Sequence, residues 1–188
     1  MRRHTPEHRR GLSRRAVLGA AMMFAAAPAM AADHPSIAYM KQFAKEMLNA
    51  HRQGTVGSFR KVIERHADVA AIADYSLGQY RKKLPAGQKQ RYYGGVVTFM
   101  SRYFADQSRI YPIAKYEIGD AAADDGEVVI NSKVYLLSGQ SYTVVWRLSK
   151  NGSRYKVRDA KVLGFSMVYM QRGLITSFIS KRNGDVEQ

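Results

Sequence analysis

Residues 155–178, YKVRDAKVLGFSMVYMQRGLITSF, constrain the fold more than any other stretch. Tyr155, Val157 and Asp159 alternate with Lys156, Arg158 and Ala160, the two-residue period of a strand. Beyond Gly164, apolar residues recur at Phe165, Val168, Tyr169, Ile175, Phe178 and Ile179, a period of about 3.6 that belongs to a helix. A strand and a helix joined through one glycine must fold back on each other, so that their apolar faces meet. The rest of the chain supplies whatever closes that sandwich.

Upstream the pattern is helical first and extended second. Residues 36–51 carry Ile37, Met40, Phe43, Ala44, Met47 and Leu48 as one stripe. Shorter helices are expected over 57–66 and 68–77, and a long one over 87–106. In the long helix Tyr92, Val96, Phe99 and Tyr103 fall on one face, widened by Val97, Met100 and Phe104. Gly94-Gly95 in its middle costs about 1 kcal/mol per glycine against alanine, which implies close packing, a bend, or room for a ligand. Strands follow over 113–119, 127–137, 141–150 and 155–163, separated by turns at Asp124-Asp125-Gly126, Ser138-Gly139-Gln140 and Asn151-Gly152. Helices, then a meander, then a helix argue for an α+β fold, with helices packed on a bent four-stranded antiparallel sheet. The order does not fit a βαβ nucleotide-binding fold.

The N-terminus reads as an address. Six arginines precede a twelve-residue apolar run, 16–27, too short for a bilayer span of about 20 residues. Ala29-Met30-Ala31 then offers a cleavage site, and Ser13-Arg14-Arg15 resembles a twin-arginine export motif. Residues 1–31 are therefore expected to be a cleaved export signal, and 32–188 a single domain in the periplasm. Removing six arginines and one glutamate from a chain of net charge +15 leaves the mature protein near +10. In that compartment a basic surface points to anionic lipid or an acidic partner rather than nucleic acid.

Few residues carry chemistry. The chain has no cysteine, which excludes disulfides and a thiolate nucleophile. His34, His51 and His66 lack metal-ligand spacing. Gly164-Phe165-Ser166-Met167-Val168 begins like a nucleophile elbow but lacks the closing glycine and any downstream histidine, so Ser166 reads as a helix N-cap. No phosphate-binding loop is present. Asp159 is the one carboxylate in a position to matter.

The run 157–167, VRDAKVLGFSM, followed by Arg172 and a short apolar helix, resembles the C-terminal signature of the MlaC, or toluene-tolerance, family. Tyr75-Ser76-Leu77-Gly78 with Tyr80, the helix over 88–104 and the meander extend the resemblance across the mature chain. It departs at Leu77-Gly78-Gln79-Tyr80-Arg81, where relatives often carry tryptophan-arginine, which suggests a side branch such as those associated with hopanoid lipids; its last helix lacks the further apolar turn of relatives, which implies a cavity more open on one side. The resemblance implies a cystatin/NTF2-like helix-capped sheet around an apolar cavity. It implies no enzymatic activity and no cofactor, only a bound lipid. It also implies transfer of phospholipid between an outer-membrane lipoprotein complex and an inner-membrane ABC transporter with an MCE-domain ring.

Such a cavity needs an adaptable apolar lining. Its expected members are Tyr92, Val96, Phe99, Met100 and Tyr103 from the long helix, and Val134, Leu136, Val144 and Trp146 from the sheet. Phe165, Tyr169 and Ile175 complete it from the last helix. The headgroup is expected near Arg147 or Arg172. Two competing readings remain. A small enzyme with the same pocket predicts a titratable pair facing inward. A protein-binding adaptor predicts a filled core and an exposed apolar patch.

Overall fold

The computed structural model describes residues 34–152 and 154–187. The export signal expected over 1–31 lies outside the described residues. Among the described residues five helices, α1 (Pro35–Gln53), α2 (Val56–His66), α3 (Val69–Ser76), α4 (Lys89–Ile110) and α5 (Met167–Ser180), accompany one sheet. Its strands are β1 (Ile113–Asp124), β2 (Glu127–Leu136), β3 (Ser141–Asn151), β4 (Arg154–Val162) and β5 (Phe165–Ser166). They pair antiparallel in chain order. Two short 3₁₀ turns, Gly78–Lys83 and Ala86–Gln88, link α3 to α4.

Local chemistry sets the boundaries. Pro35 opens α1, and Gly54 ends it at φ +61°. Thr55 Oγ1 accepts from the Ser58 N–H at 3.1 Å, and Asp68 Oδ1 from the Ala71 N–H at 3.2 Å, capping α2 and α3. Ser166 caps α5, accepting from the Tyr169 N–H at 3.0 Å.

The sheet has five strands rather than the expected four. Leu163 (φ +52°) and Gly164 (φ +87°) form a two-residue turn, and Phe165 reverses to pair with Val162. Gly164 is thus half of a hairpin, not a bare strand-to-helix junction. β1 also runs five residues past Gly119, the end expected for it. A shift of register between Ile118 and Ala121 takes it past Gly119, where an added Cβ would meet the Asn131 carbonyl at 3.2 Å.

A second shift decides which side chains face inward. Arg147 pairs with Asp159 and Leu148 with Val157, leaving Arg158 as the extra residue of a bulge in β4. Tyr155 and Val157 face the core before it; Ala160 and Val162 take that face after it, so Asp159 does not share the face expected for it. Asp159 Oδ1 instead accepts from the N–H groups of Ala160 (2.8 Å) and Val168 (3.2 Å), tying β4 to the start of α5.

The helix–sheet sandwich is solid at one end. There Ile130 and Leu148 are fully buried, packed with Val62, Ile63, Val97 and Val157, while the buried Met40 and Phe59 sit where this core meets the cavity. Toward the other end the layers diverge.

Candidate functional site

The gap between the diverging layers is a cavity of about 700 Å³. α1 forms its roof with Met40, Phe43, Ala44, Met47, Leu48 and His51. α4 contributes Tyr103, Phe104, Gln107 and Ser108 from its C-terminal turns, with Tyr111 just beyond them. The floor is the inward face of the sheet, including Ile118, Ser132, Val134, Leu136, Tyr142, Val144, Trp146, Ala160 and Val162. Leu163 and Met167 border it where β4 turns into α5.

None of the lining side chains is an aspartate, glutamate, lysine or arginine. Several of the polar ones are already engaged. Trp146 Nε1 donates to Ser132 Oγ at 2.8 Å, and the Trp146 ring meets Phe43 edge-on at 5.1 Å between centroids. Ser108 Oγ donates to the Ala105 carbonyl at 2.7 Å, and His51 Nε2 accepts from the Ile113 N–H at 3.0 Å. Among the described residues, every buried side-chain nitrogen or oxygen has a hydrogen-bond partner. Burial raises the Tyr142 phenol above its ordinary pKa and lowers the His51 imidazole below 6.5, against a smaller opposing effect of a hydrogen bond to the Tyr111 backbone. The walls are neutral and mostly apolar, and no fully buried polar side-chain atom among the described residues lacks a partner. Such a space attracts hydrocarbon. Among the described residues no cluster of histidine and acidic side chains has the geometry of a metal site.

Five of the residues expected to line a cavity do so: Tyr103, Val134, Leu136, Val144 and Trp146. Seven lie elsewhere. The Tyr92 hydroxyl donates to the Ala73 carbonyl at 3.0 Å, and Val96 packs on Ile72 and Ala73 of α3. Met100 bridges the two core clusters beside it, and Phe99 is exposed. Phe165 and Tyr169 face solvent, and Ile175 packs with Leu77, Tyr80 and Ile179. The two arginines are also away from the cavity. Arg147 points to the opposite face of the sheet and pairs with Glu127 (2.7 Å) and Asp124 (2.9 Å). Arg172 lies 5.0 Å over the Tyr75 ring.

Sequence reasoning left out all of the α1 side chains, together with Phe104, Ile118, Tyr142, Ala160 and Val162 among others. The α1 stripe predicts a buried helix face, and nothing in its period distinguishes core from cavity. The only hint is composition: Met40 and Met47 are unbranched, adaptable side chains that tolerate changing neighbours.

Comparison with known proteins agrees with this architecture. No curated protein matches the sequence. Among solved structures, the fold is similar to that of a phospholipid-binding protein from Ralstonia solanacearum, determined in complex with a phospholipid. The TM-score is 0.60 at 20% identity, covering 81% of this chain and 90% of that one. The family profile of the MlaC protein matches residues 37–188. The chain belongs to the MlaC family.

Proposed function

We propose that this protein is a periplasmic lipid carrier that holds phospholipid acyl chain in the cavity between α1, α4 and the sheet. The observation that carries this reading is the cavity itself: about 700 Å³ with no charged side chain in its lining. At about 30 Å³ for a water-sized group, it takes roughly twenty methylenes, one long chain and part of a second. Each methylene removed from water contributes ~0.8 kcal/mol. The gross gain is on the order of 15 kcal/mol, and association with ordering of the chains costs about 4–15 kcal/mol. The net is an affinity that permits loading and release, which suits a carrier. The MlaC family membership and the phospholipid bound by the Ralstonia protein support the same reading.

Residues 1–31 act as the export signal and residues 32–188 as the single lipid-binding domain. Tyr103, Val134, Leu136, Val144 and Trp146 contact the acyl chain together with the α1 side chains, and the headgroup stays at the mouth. The partners are an inner-membrane ABC transporter bearing an MCE-domain ring and an outer-membrane lipoprotein complex. The role is binding and transport rather than catalysis.

Native mass spectrometry of the protein purified from its periplasm tests the proposal. A stoichiometric lipid mass is expected, and its value identifies the class, phospholipid or polycyclic hopanoid. Protein that is bare in every preparation contradicts it.

A further inference from the structure

Four large apolar side chains that border the cavity or sit next in sequence to its lining stand in water. Ile110 is 62% exposed, Tyr111 50%, Leu137 70% and Leu163 71%. They come from separate segments. Ile110 and Tyr111 lie where α4 ends, Leu137 in the β2–β3 turn, and Leu163 in the β4–β5 turn. Tyr111 and Leu163 border the cavity directly, and the Leu137 N–H donates to the Pro112 carbonyl at 2.9 Å, which holds that turn beside them. Exposed apolar side chains on three segments beside an apolar cavity are of the kind that marks an interaction site.

Leu163 is the most telling of the four. It occupies the first central position of a two-residue hairpin with φ +52°, followed by Gly164 at φ +87°. That turn favours asparagine, aspartate or glycine, because both central residues need positive φ. Among the described non-glycine residues with positive φ, the other two are Asp125 and Asn183, types that tolerate the left-handed region. A leucine there is strained and gains no burial in return. Strain held at an exposed position is a mark of function rather than of folding.

The segments that carry these side chains, and the end of α1 beside them, are basic. Segments 51–55, 107–113, 137–141 and 161–166 carry Arg52, Arg109 and Lys161 and no aspartate or glutamate. The nearest carboxylate along α4, Asp106, is one helical turn before Ile110. An apolar tip flanked by cations complements the headgroup boundary of an anionic bilayer.

We propose that the mouth of the cavity is a membrane-docking collar, with Leu163, Leu137, Ile110 and Tyr111 inserted into an anionic lipid surface and Arg52, Arg109 and Lys161 against its headgroups. The collar sets the cavity directly over the bilayer, so an acyl chain passes between them without crossing water. This inference rests on the lipid-carrier reading for its purpose, but not for its test.

The test is flotation of the purified protein with vesicles of phosphatidylcholine alone and of an equal mixture of phosphatidylcholine and phosphatidylglycerol. Wild-type protein is expected to float, more strongly with the anionic vesicles. Leu163→Asn is expected to raise the melting temperature, since asparagine suits the turn, and to lower vesicle partition by about tenfold. A residue with only a structural role cannot move those two readouts in opposite directions. Arg52→Glu and Arg109→Glu should each lower partition onto the anionic vesicles at least about fivefold and leave the neutral ones unaffected. The collar is overturned if wild-type protein stays unbound with both vesicles, or if Leu163→Asn floats as well as wild type. Native mass spectrometry of the same samples separates the two readings. Protein that floats but never carries lipid contradicts the carrier and supports the collar, and protein that carries lipid but does not float does the reverse.

Discussion

At the scale of single residues, two titrating side chains hold α1 in place, and each acts in its own pH window. His51 Nε2 accepts the Ile113 N–H, so that nitrogen must be unprotonated for the bond to exist. Burial keeps the imidazole pKa below 6.5 in the folded protein. Below that pH the unfolded chain binds more protons than the folded one, so stability falls as pH drops through this region. His51→Gln retains an acceptor but does not titrate. Its melting temperature is expected to decline less than that of wild type as pH falls below about 6.5. Glu46 works lower on the scale. Burial alone would raise its pKa, but hydrogen bonds from His66 (3.0 Å) and Gln42 (3.1 Å), with the charges of His66 and Arg65, bring it below 4.5. Its contribution is present above 4.5 and is lost as pH falls through the folded value. Glu46→Gln should therefore flatten the acid limb of the stability curve below about 4.5 and leave the His51 region unchanged. Thermal melts across pH read both effects, and curves parallel to wild type would refute the assignment.

At the scale of elements, α4 separates what its sequence can say from what it cannot. The spacing of Tyr92, Val96, Phe99 and Tyr103 correctly signals a helix, and the observed α4 spans Lys89–Ile110. The stripe does not say which layer each turn meets. Its N-terminal half packs on α3, through Val96 against Ile72 and Ala73, and only its C-terminal turns reach the cavity. Gly94-Gly95 makes no room for a ligand, because both are exposed and an added Cβ would meet nothing within 4 Å. Gly94→Ala and Gly95→Ala are each expected to stabilise the protein by about 0.5–1 kcal/mol, measured by chemical denaturation, without changing lipid content. Destabilisation by either would mean that the bend or packing there matters. The β4 strand teaches the same lesson. Alternation in 155–163 identifies a strand, but the bulge at Arg158 inverts its faces halfway, and that bulge is a property of pairing with β3. The turn at Leu163-Gly164 went unread for another reason: leucine is not a residue that announces positive φ.

At the scale of the whole molecule, the α+β order of elements is legible because each segment carries its own period. The hollow is not. It depends on how far α1 and the end of α4 stand off a sheet bent by bulges near Gly119 and Arg158, and no local pattern encodes that separation. Phe43 shows the ambiguity in one side chain: it packs in the core cluster and also lines the cavity. The central claim, that an acyl chain occupies this space, has a built-in reporter, since Trp146 is the chain's single tryptophan and lies in the cavity floor. The direct measurement is its fluorescence after loading with a phospholipid brominated at mid-chain, against the same lipid without bromine. Strong quenching by the brominated chain alone is the predicted result; equal emission from the two loaded samples would contradict it.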